Sequence, residues 1–315
     1  MIKRSNPRIK TMKVLFLGTP DFAIPSLRAI RSSSHEILAV ITQPDKEGRR
    51  RVMTPPAVKV EAEKMGLPIY QFDSLRKEGV DLVRSLAPDV MVTAAFGQIL
   101  SQELLDIPKY GVFNVHGSLL PKYRGASPIQ SCLLAGDDVT GVTIMRTAYE
   151  VDSGDVILKK ELPISPEDDA GSLFDKLAAL GAEGIVQALD LLEKGAITYT
   201  PQDHSQATFC KMIRKSDAEI TSITPLSLAL NMARAYSPWP IVYVTLGEER
   251  LRLFGVEAAA KKGETGTFRA ENGELFLELA DGALHLVSVQ AEGKKQMSGR
   301  DYLIGHRSVL DKRIG

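Results

Sequence analysis

The chain has 315 residues, 44% of them hydrophobic and 25% charged, and 39 Lys and Arg residues balance 39 Asp and Glu residues. This is the composition of a soluble globular enzyme long enough for two domains, and the zero net charge excludes a nucleic-acid binder that depends on bulk positive charge. Two cysteines, Cys132 and Cys210, argue against a disulfide framework or a cysteine-rich zinc site, and no apolar run of about 18 residues predicts a membrane helix, so a cytoplasmic protein is expected.

The chain opens with a basic segment, MIKRSNPRIKT, that lacks the apolar centre of a signal peptide. We expect residues 1–11 to form a disordered leader. Both Met1 and Met12 remain candidates for the start of the protein.

From Met12 onward, short apolar segments alternate with segments of helical periodicity. Strands are predicted at 12–18, 36–43, 67–71, 88–96 and 111–117, with helices at 20–34, 58–66 and 75–87. This alternation predicts an α/β fold with an open, mostly parallel, Rossmann-like sheet, whose ligands bind beyond the carboxyl ends of the strands. Gly18 is followed by Thr19 and Pro20, so the glycines of a dinucleotide-binding fingerprint are missing and a nicotinamide cofactor is not expected.

The second half of the chain changes character. A long amphipathic helix is predicted at 172–195 and another helix near 225–235. Five short strands follow, at 241–246, 251–257, 266–270, 275–279 and 283–289, with a turn signal at Asn272-Gly273. They predict a small OB-like antiparallel β-barrel, followed by a final helix capped by Ser298 and Asp301. We expect a first domain at 12–205, a linker at 206–222 and a C-terminal domain at 223–315.

Polar residues interrupt one predicted buried strand, VFNVHG at 112–117. Because strand side chains alternate, Asn114 and His116 share one face. Asp152, in EVDSGDVI, precedes another strand and completes a set of three. An Asn amide can donate to a developing oxyanion, a His can exchange a proton near neutral pH, and an Asp can orient that His. The set favours direct transfer of a small acyl group between nitrogens, because no Ser or Cys is obviously paired with His116. The alternative is that His116 is an ordinary core histidine with satisfied hydrogen bonds.

Longer stretches carry a resemblance that covers almost the whole chain from Met12. They are FLGTPDFA, TQPD, AAFGQIL, NVHGSLLPKYRGASPIQ, TGVTIMRTAYEVDSGDVI, PWP and GKKQMSGRDYLIGH. In these stretches the chain resembles the folate-dependent formyltransferases, and most closely those members that formylate methionine on initiator tRNA.

The resemblance implies an activity and a site. The formyl group would pass from 10-formyltetrahydrofolate to the α-amine of methionine on initiator tRNA, without a metal. Asn114, His116 and Asp152 match the catalytic residues of the family. The folate site would comprise Phe96, Gln98, Ile99, Leu100, Ser118, Leu119, Leu120 and Pro121. Pro121 disfavours a helical conformation at Leu120, so we expect backbone groups there to be free for the edge of a heterocycle. The alternative for 118–121 is a plain connector between a strand and a helix.

Basic residues are the candidates for contacts with tRNA phosphates. The resemblance implies that the loop at 44–56 approaches the acceptor end of the tRNA, whereas a solvated loop is the alternative. The loop is about one residue shorter than the family pattern, with Arg50 at a common glycine position, so which arginine matches the family's key arginine stays open. Ile220-Thr221-Ser222 stands where the family has Ile-Asp-Trp, so the linker turn is expected to differ. The candidates are Arg49, Arg50, Arg51, Lys211, Arg214, Lys215, Lys294 and Lys295.

Several other functions are compatible with parts of the sequence. Glycinamide ribonucleotide formyltransferase resembles only the first domain. Amino-sugar formyltransferases and the hydrolase domain of formyltetrahydrofolate dehydrogenase keep the same three polar residues. An RNA-binding module with an inactive first domain is a different class, and the intact set of polar residues argues against it. RGASPIQ and GKKQMS favour a tRNA substrate. We expect a monomer whose partners are the folate donor and aminoacylated initiator tRNA, with no membrane contact.

Overall fold

A computed structural model describes residues 11–47 and 53–315 of the chain. The chain clusters into two compact units, each built from three segments. The first combines Met1–Gly125, Val139–Pro163 and Phe174–Cys210, and the second combines Ala126–Asp138, Ile164–Leu173 and Lys211–Gly315. Nearly all of the predicted leader and all of Arg49, Arg50 and Arg51 lie outside the described residues. Among the helices in the described ranges, none has the length and apolar character needed to span a bilayer.

A seven-stranded sheet forms the centre of the first unit. Its strands are β1 Lys13–Gly18, β2 Glu36–Thr42, β3 Ile69–Gln71, β4 Val90–Ala94, β5 Val112–His116, β6 Val139–Arg146 and β7 Val156–Pro163. Their order is β7-β6-β5-β4-β1-β2-β3. The five strands β1 to β5 pair in parallel, whereas β6 and β7 are antiparallel additions beside β5. The predicted open, mostly parallel sheet is confirmed.

The helices largely match the predicted segments. They are α1 Ile24–Ser32, α2 Ala57–Lys64, α3 Leu75–Glu78, α4 Val80–Leu86, α5 Gln102–Asp106, α6 Pro128–Ala135, α7 Ala170–Glu193, α8 Leu226–Ala235 and α9 Gly299–Gly305. The helix predicted at 75–87 is divided at Gly79, whose N–H bonds to Leu75 O at 2.9 Å and ends α3. Helix α7 terminates as predicted, because Gly195 adopts a φ of +63° that favours glycine.

A cluster of buried apolar side chains supports the edge of the sheet at which β1 and β4 end. Leu15 and Leu17 of β1 and Met91 of β4 are fully buried and pack with side chains from α3, α4 and α5. Burying a side chain of this size contributes about 1.5–3 kcal/mol. The cluster therefore fixes the backbone from which the loops beyond the strands begin.

The second unit contains an antiparallel sheet. Its strands are β8 Tyr243–Leu246, β9 Glu249–Ala259, β10 Phe268–Glu271, β11 Glu274–Glu278, β12 Ala283–Ala291 and β13 Met297–Ser298. The order is β8-β9-β12-β11-β10, with β13 paired to β12. Strand β9 carries register shifts between Leu253 and Val256, which bend the strand as a small barrel requires. The predicted OB-like domain is confirmed, and the two-residue strand β13 is an addition to it.

Two predicted local signals are present in this unit. Asn272 and Gly273, between β10 and β11, have φ values of +54° and +83°, as a tight hairpin turn requires. The hydroxyl of Ser298 accepts the Asp301 N–H at 3.0 Å and caps α9.

Candidate active site

Asn114 and His116 lie at the carboxyl end of β5. Asn114 is opposite Thr93 of β4, and His116 is opposite Thr143 of β6. Asn114 is half-buried, whereas His116 is buried. Because the carboxyl ends of β4 and β5 meet at the same edge of the sheet, both side chains lie where open α/β sheets bind ligands.

The amide of Asn114 has a defined orientation. The Thr93 hydroxyl donates to Asn114 Oδ1 at 2.8 Å, which assigns the oxygen of the amide as the acceptor. The amide NH₂ group therefore points away from Thr93 and offers its two donors elsewhere. Thr93 is a polar residue in the otherwise apolar strand β4, and this is the signal by which the sequence could have identified it.

The imidazole of His116 lies between two acceptors. Its Nε2 is 3.0 Å from the carbonyl oxygen of Tyr123, and since a carbonyl only accepts, Nε2 carries a proton. Its Nδ1 faces Asp152 Oδ2 at 3.6 Å, which is longer than a hydrogen bond. The structure thus brings together a histidine and a carboxylate that the sequence separates by more than thirty residues.

Asp152 is held in a turn with unusual backbone geometry. Its φ is +49°, a value that residues other than glycine seldom adopt. Its Oδ2 accepts the Gly125 N–H at 2.8 Å, which anchors the carboxylate beside His116. Two residues later, a Cβ at Gly154 would lie 1.8 Å from the carbonyl oxygen of Arg146, so only glycine fits there.

The predicted folate loop at 118–121 is tied to β6. Thr143 Oγ1 donates to Ser118 O at 2.7 Å and accepts the Leu120 N–H at 3.0 Å. Lys159 Nζ donates to Leu120 O. The expectation that the backbone of Leu120 is free is therefore wrong, because both of its polar groups have intramolecular partners. The Leu120 side chain is also fully buried, whereas Leu119 and Pro121 are partly exposed.

The four predicted folate residues between 96 and 100 differ in their exposure to solvent. Phe96 and Leu100 belong to the apolar cluster under the sheet. The Gln98 amide donates to Phe72 O at 2.7 Å and accepts the Leu75 N–H at 2.8 Å, so this side chain fixes the start of α3. Ile99 is 67% exposed and is the side chain of the four that is open to a ligand.

The predicted tRNA-binding residues of the second unit are all exposed. Lys211, Arg214 and Lys215 lie near the start of a 3₁₀ helix at Lys215–Ala218, and Lys294 and Lys295 lie in the turn between β12 and β13. In the part of the chain that the structure describes, none of these five side chains forms an ion pair within 4.0 Å. They are therefore available to phosphates.

A group of possible metal ligands lies in the first unit, away from Asn114 and His116. Within the described ranges, His35, Asp190 and Glu193 offer ligand atoms within 4.8 Å of one another. His35 precedes β2 and so lies at the amino ends of the parallel strands, opposite the edge that carries Asn114 and His116.

Several residues that the sequence reasoning missed support the site. Thr93 orients Asn114, and Thr143 holds the loop at 118–121. Gln202 donates to the carbonyl oxygens of Asp152 and Gly154, and it accepts from Arg124. Arg124 stands inside a recognisable stretch, RGASPIQ, but Gln202 offered no signal, because its partners are backbone atoms brought near it by the fold. The resulting arrangement places an amide donor, an imidazole and a carboxylate at one edge, which suits acyl transfer through an oxyanion.

Comparison with known proteins agrees with this chemistry. The sequence profile described as Formyl transferase matches residues 12–189, and the profile for the formyl transferase C-terminal domain matches residues 212–307. The chain belongs to the formyl transferase family.

Within the formyl transferase family, the chain is similar over nearly its full length to curated proteins named methionyl-tRNA formyltransferase. A methionyl-tRNA formyltransferase from Geobacter metallireducens is 40% identical over 96% of this chain and 99% of its own length. One from Bacillus velezensis is 42% identical over 93% of this chain and 94% of its own length. The similarity thus includes both units.

Solved structures share the fold at low identity. An N-formyltransferase from Helicobacter canadensis, in complex with folinic acid and dTDP-3-aminofucose, matches 88% of this chain and 99% of its own with a TM-score of 0.66 and 16% identity. HypX from Aquifex aeolicus, in complex with tetrahydrofolic acid, matches 95% of this chain and 48% of its own with a TM-score of 0.61 and 16% identity.

Proposed function

We propose that this protein transfers a formyl group from 10-formyltetrahydrofolate to the α-amine of methionine on initiator tRNA, in the cytoplasm. The observation that supports methionyl-tRNA as the acceptor is the similarity to proteins named methionyl-tRNA formyltransferase, at 39–42% identity over nearly the full chain. The geometry around His116 supports the chemistry.

The reaction exchanges one C–N bond for another. The uncharged amine of methionine attacks the formyl carbon, and a tetrahedral oxyanion forms. The attacking nitrogen then loses one proton, N10 of the donor gains one, and the bond between N10 and the formyl carbon breaks. The Asn114 amide is oriented to donate to that oxyanion, since its oxygen is occupied by Thr93. Removing one such donor typically costs about 3–4 kcal/mol, or 100- to 1,000-fold in rate.

His116, assisted by Asp152, would transfer the proton between the attacking amine and N10. Nε2 is committed to the Tyr123 carbonyl, so exchange with a substrate passes through Nδ1, the nitrogen that faces Asp152. Asp152 would keep the ring in this orientation, and its negative charge would stabilise the imidazolium that forms when Nδ1 is protonated. The Nδ1 to Oδ2 separation of 3.6 Å is typical of a site whose hydrogen bonds tighten when substrates bind.

Folate is the proposed donor because structures of the same fold hold folates, tetrahydrofolic acid in one and folinic acid in another. Here the donor would lie against Ile99, Leu119 and Pro121, whose side chains are at least partly exposed. Gln98 is also partly exposed, but its amide is bonded to Phe72 O and to the Leu75 N–H. The tRNA would be held by the basic residues of the second unit, with Arg49, Arg50 and Arg51 near the acceptor end.

An amino-sugar nucleotide is the second candidate acceptor. The fold is shared with a formyltransferase that is in complex with dTDP-3-aminofucose, but at 16% identity. A competition assay separates the two acceptors: the protein is given 10-formyltetrahydrofolate with equal concentrations of methionyl initiator tRNA, free methionine and dTDP-3-aminofucose. We expect formylmethionyl-tRNA as the product. Formylation of the sugar nucleotide in preference to the tRNA would contradict the proposal.

A further inference from the structure

One glutamine amide bonds to two backbone carbonyls of the turn that presents Asp152. Gln202 is 7% exposed, and its Nε2 donates to Asp152 O at 2.8 Å and to Gly154 O at 2.7 Å. Both protons of this amide are therefore used on the turn. Asp152 has a φ of +49°, a conformation that residues other than glycine seldom adopt, so its backbone depends on such support.

The other end of the same amide binds Arg124. Gln202 Oε1 accepts from Arg124 Nε at 3.2 Å and from Nη2 at 2.7 Å. The Arg124 side chain also bonds to His204 Nδ1 at 3.0 Å, and the residue is 4% exposed. These bonds leave the Gln202 amide one orientation, with its oxygen towards the guanidinium and its nitrogen towards the turn.

Arg124 connects this amide to both members of the proposed catalytic pair. Its neighbour Tyr123 supplies the carbonyl that accepts from His116 Nε2, and its other neighbour Gly125 supplies the N–H that donates to Asp152 Oδ2. The bond between the Arg124 N–H and Thr208 O at 2.8 Å fixes the same segment from the other side. Gln202 thus joins the segment that holds the imidazole to the turn that holds the carboxylate.

The contacts of Arg124 are all with neutral groups. In the described part of the chain, no carboxylate lies within 4.0 Å of this buried guanidinium, and Gln202 stands between it and the Asp152 turn. A direct ion pair would draw the Asp152 carboxylate away from His116. The neutral amide keeps the cation in place while Asp152 remains beside the imidazole.

From this network we propose that Gln202, acting with Arg124, is a positioning residue for the His116–Asp152 pair. The proposal rests on the function proposed above. It assigns Gln202 no contact with either substrate, so its loss should lower kcat and leave KM for donor and tRNA nearly unchanged.

The decisive variant is Gln202→Glu, which keeps the size and shape of the side chain. Its carboxylate can pair with Arg124, so the fold should be retained, but its oxygens would face the two carbonyls that the amide now binds. We expect kcat to fall by about 100-fold, the typical cost of a misplacement of about 1 Å, with KM values within about twofold. Gln202→Met, which removes the polar atoms without adding charge, should behave in the same way.

Gln206→Ala is the matched control, because Gln206 is an exposed glutamine in the adjacent 3₁₀ helix. It should keep wild-type kcat and KM. If Gln202 only fills space, both Gln202→Glu and Gln202→Met will keep wild-type kcat, and this result overturns the proposal. A change confined to KM overturns it as well.

A second readout separates this proposal from the proposed function. The ¹⁵N and ¹H signals of the His116 ring, identified by their loss in His116→Gln, should shift in Gln202→Glu and stay in place in Gln206→Ala. Unchanged ring signals in Gln202→Glu contradict the positioning role. A wild-type protein that does not formylate methionyl-tRNA, but whose ring signals respond in this way, overturns the proposed function and supports the positioning role.

Discussion

The Thr93 hydroxyl and the Asn114 amide oxygen are 2.8 Å apart, and this bond decides which end of the amide is offered to a ligand. Without it, the amide could rotate and present its oxygen to the developing oxyanion, which would be repulsive. The role proposed for Asn114 therefore depends on a second polar side chain in the neighbouring strand.

Thr93→Val should reduce kcat by about tenfold, since losing a hydrogen bond of about 1–1.5 kcal/mol releases the Asn114 amide. Steady-state kinetics with methionyl initiator tRNA measures the effect. Thr42→Val is the matched control, because Thr42 is also a buried strand threonine but its hydroxyl has no partner among the described residues. Equal losses in the two variants would mean that Thr93 acts through packing alone.

The candidate catalytic residues could be predicted from the sequence, whereas their supports could not. Asn114 and His116 stand out because polar residues alternate in an apolar strand, and Asp152 stands out in a recognisable stretch. Thr93 and Gln202 act through partners that are 21 and 50 residues away. Thr93 breaks the apolar pattern of β4, but nothing in the sequence pairs it with Asn114. The contacts of Gln202 with distant backbone carbonyls leave no local pattern, so only the folded chain reveals these partners.

At the scale of elements, the hairpin of β10 and β11 carries an ion pair between the partly exposed Arg269 and the buried Glu278. Glu278 is fully buried, and its Oε1 accepts from Arg269 Nε at 2.6 Å. Burial is the largest single effect and raises the pKa of the Glu278 carboxyl, but hydrogen bonds from Arg269 and from the backbone N–H groups of Lys262 and Gly263 together hold the pKa below its usual value.

The Arg269–Glu278 pair predicts that the second unit becomes less stable towards unfolding as the pH falls. Because the folded-state pKa of Glu278 lies below the unfolded value of about 4.3, the ionised carboxylate contributes stability that is present above that pH. The contribution is lost as the pH falls through the folded-state pKa. Urea unfolding between pH 7 and pH 3, followed by the fluorescence of Trp239, the single tryptophan, should show this decline. Stability that does not fall in this range would contradict the prediction.

Arg269→Met should destabilise the protein by about 3–5 kcal/mol at pH 7, because it leaves a buried carboxylate without its cation. Burial then dominates and raises the pKa of Glu278, so the deficit should shrink as the pH falls and the carboxyl is neutralised. Arg313→Met is the control, since its partner Glu264 and Arg313 itself are exposed and such pairs contribute about 0–1 kcal/mol. A pH-independent deficit in Arg269→Met would show that lost packing, not charge, is responsible.

Elements were predictable where periodicity and turn residues agree, as in β1, β2, α7 and the Asn272-Gly273 hairpin. The antiparallel direction of β6 and β7 was not predictable, because side chains alternate with a period of two in parallel and antiparallel strands alike. The break at Gly79 was also missed. A glycine within a helical pattern is often tolerated, and the surrounding chain decides whether the helix continues.

At the scale of the whole molecule, a net charge of zero coexists with exposed basic residues such as Lys294 and Lys295, which form no ion pair within residues 11–47 and 53–315. Phosphate binding depends on such local clusters and not on the total charge. The predicted monomer and the roles of the basic residues stay predictions.

Lys294→Gln and Lys295→Gln should weaken tRNA binding and flatten its salt dependence by about one unit of slope for each lost phosphate contact. Affinity measured across a salt series provides the test. Lys160→Gln is the control, because Lys160 is already paired with Glu183 at 2.9 Å. A slope that is the same in all three variants and the wild type would show that Lys294 and Lys295 are only solvated surface.

The most direct test of the account is a single-turnover measurement with wild type and His116→Ala, each saturated with 10-formyltetrahydrofolate and methionyl initiator tRNA. The wild type should formylate the tRNA, and the variant should bind both substrates with unchanged affinity but react at least 100-fold more slowly, since acid–base groups contribute about 10²–10⁴-fold. A folded His116→Ala protein that reacts within about tenfold of the wild-type rate would contradict the claim that this strand end is the catalytic site.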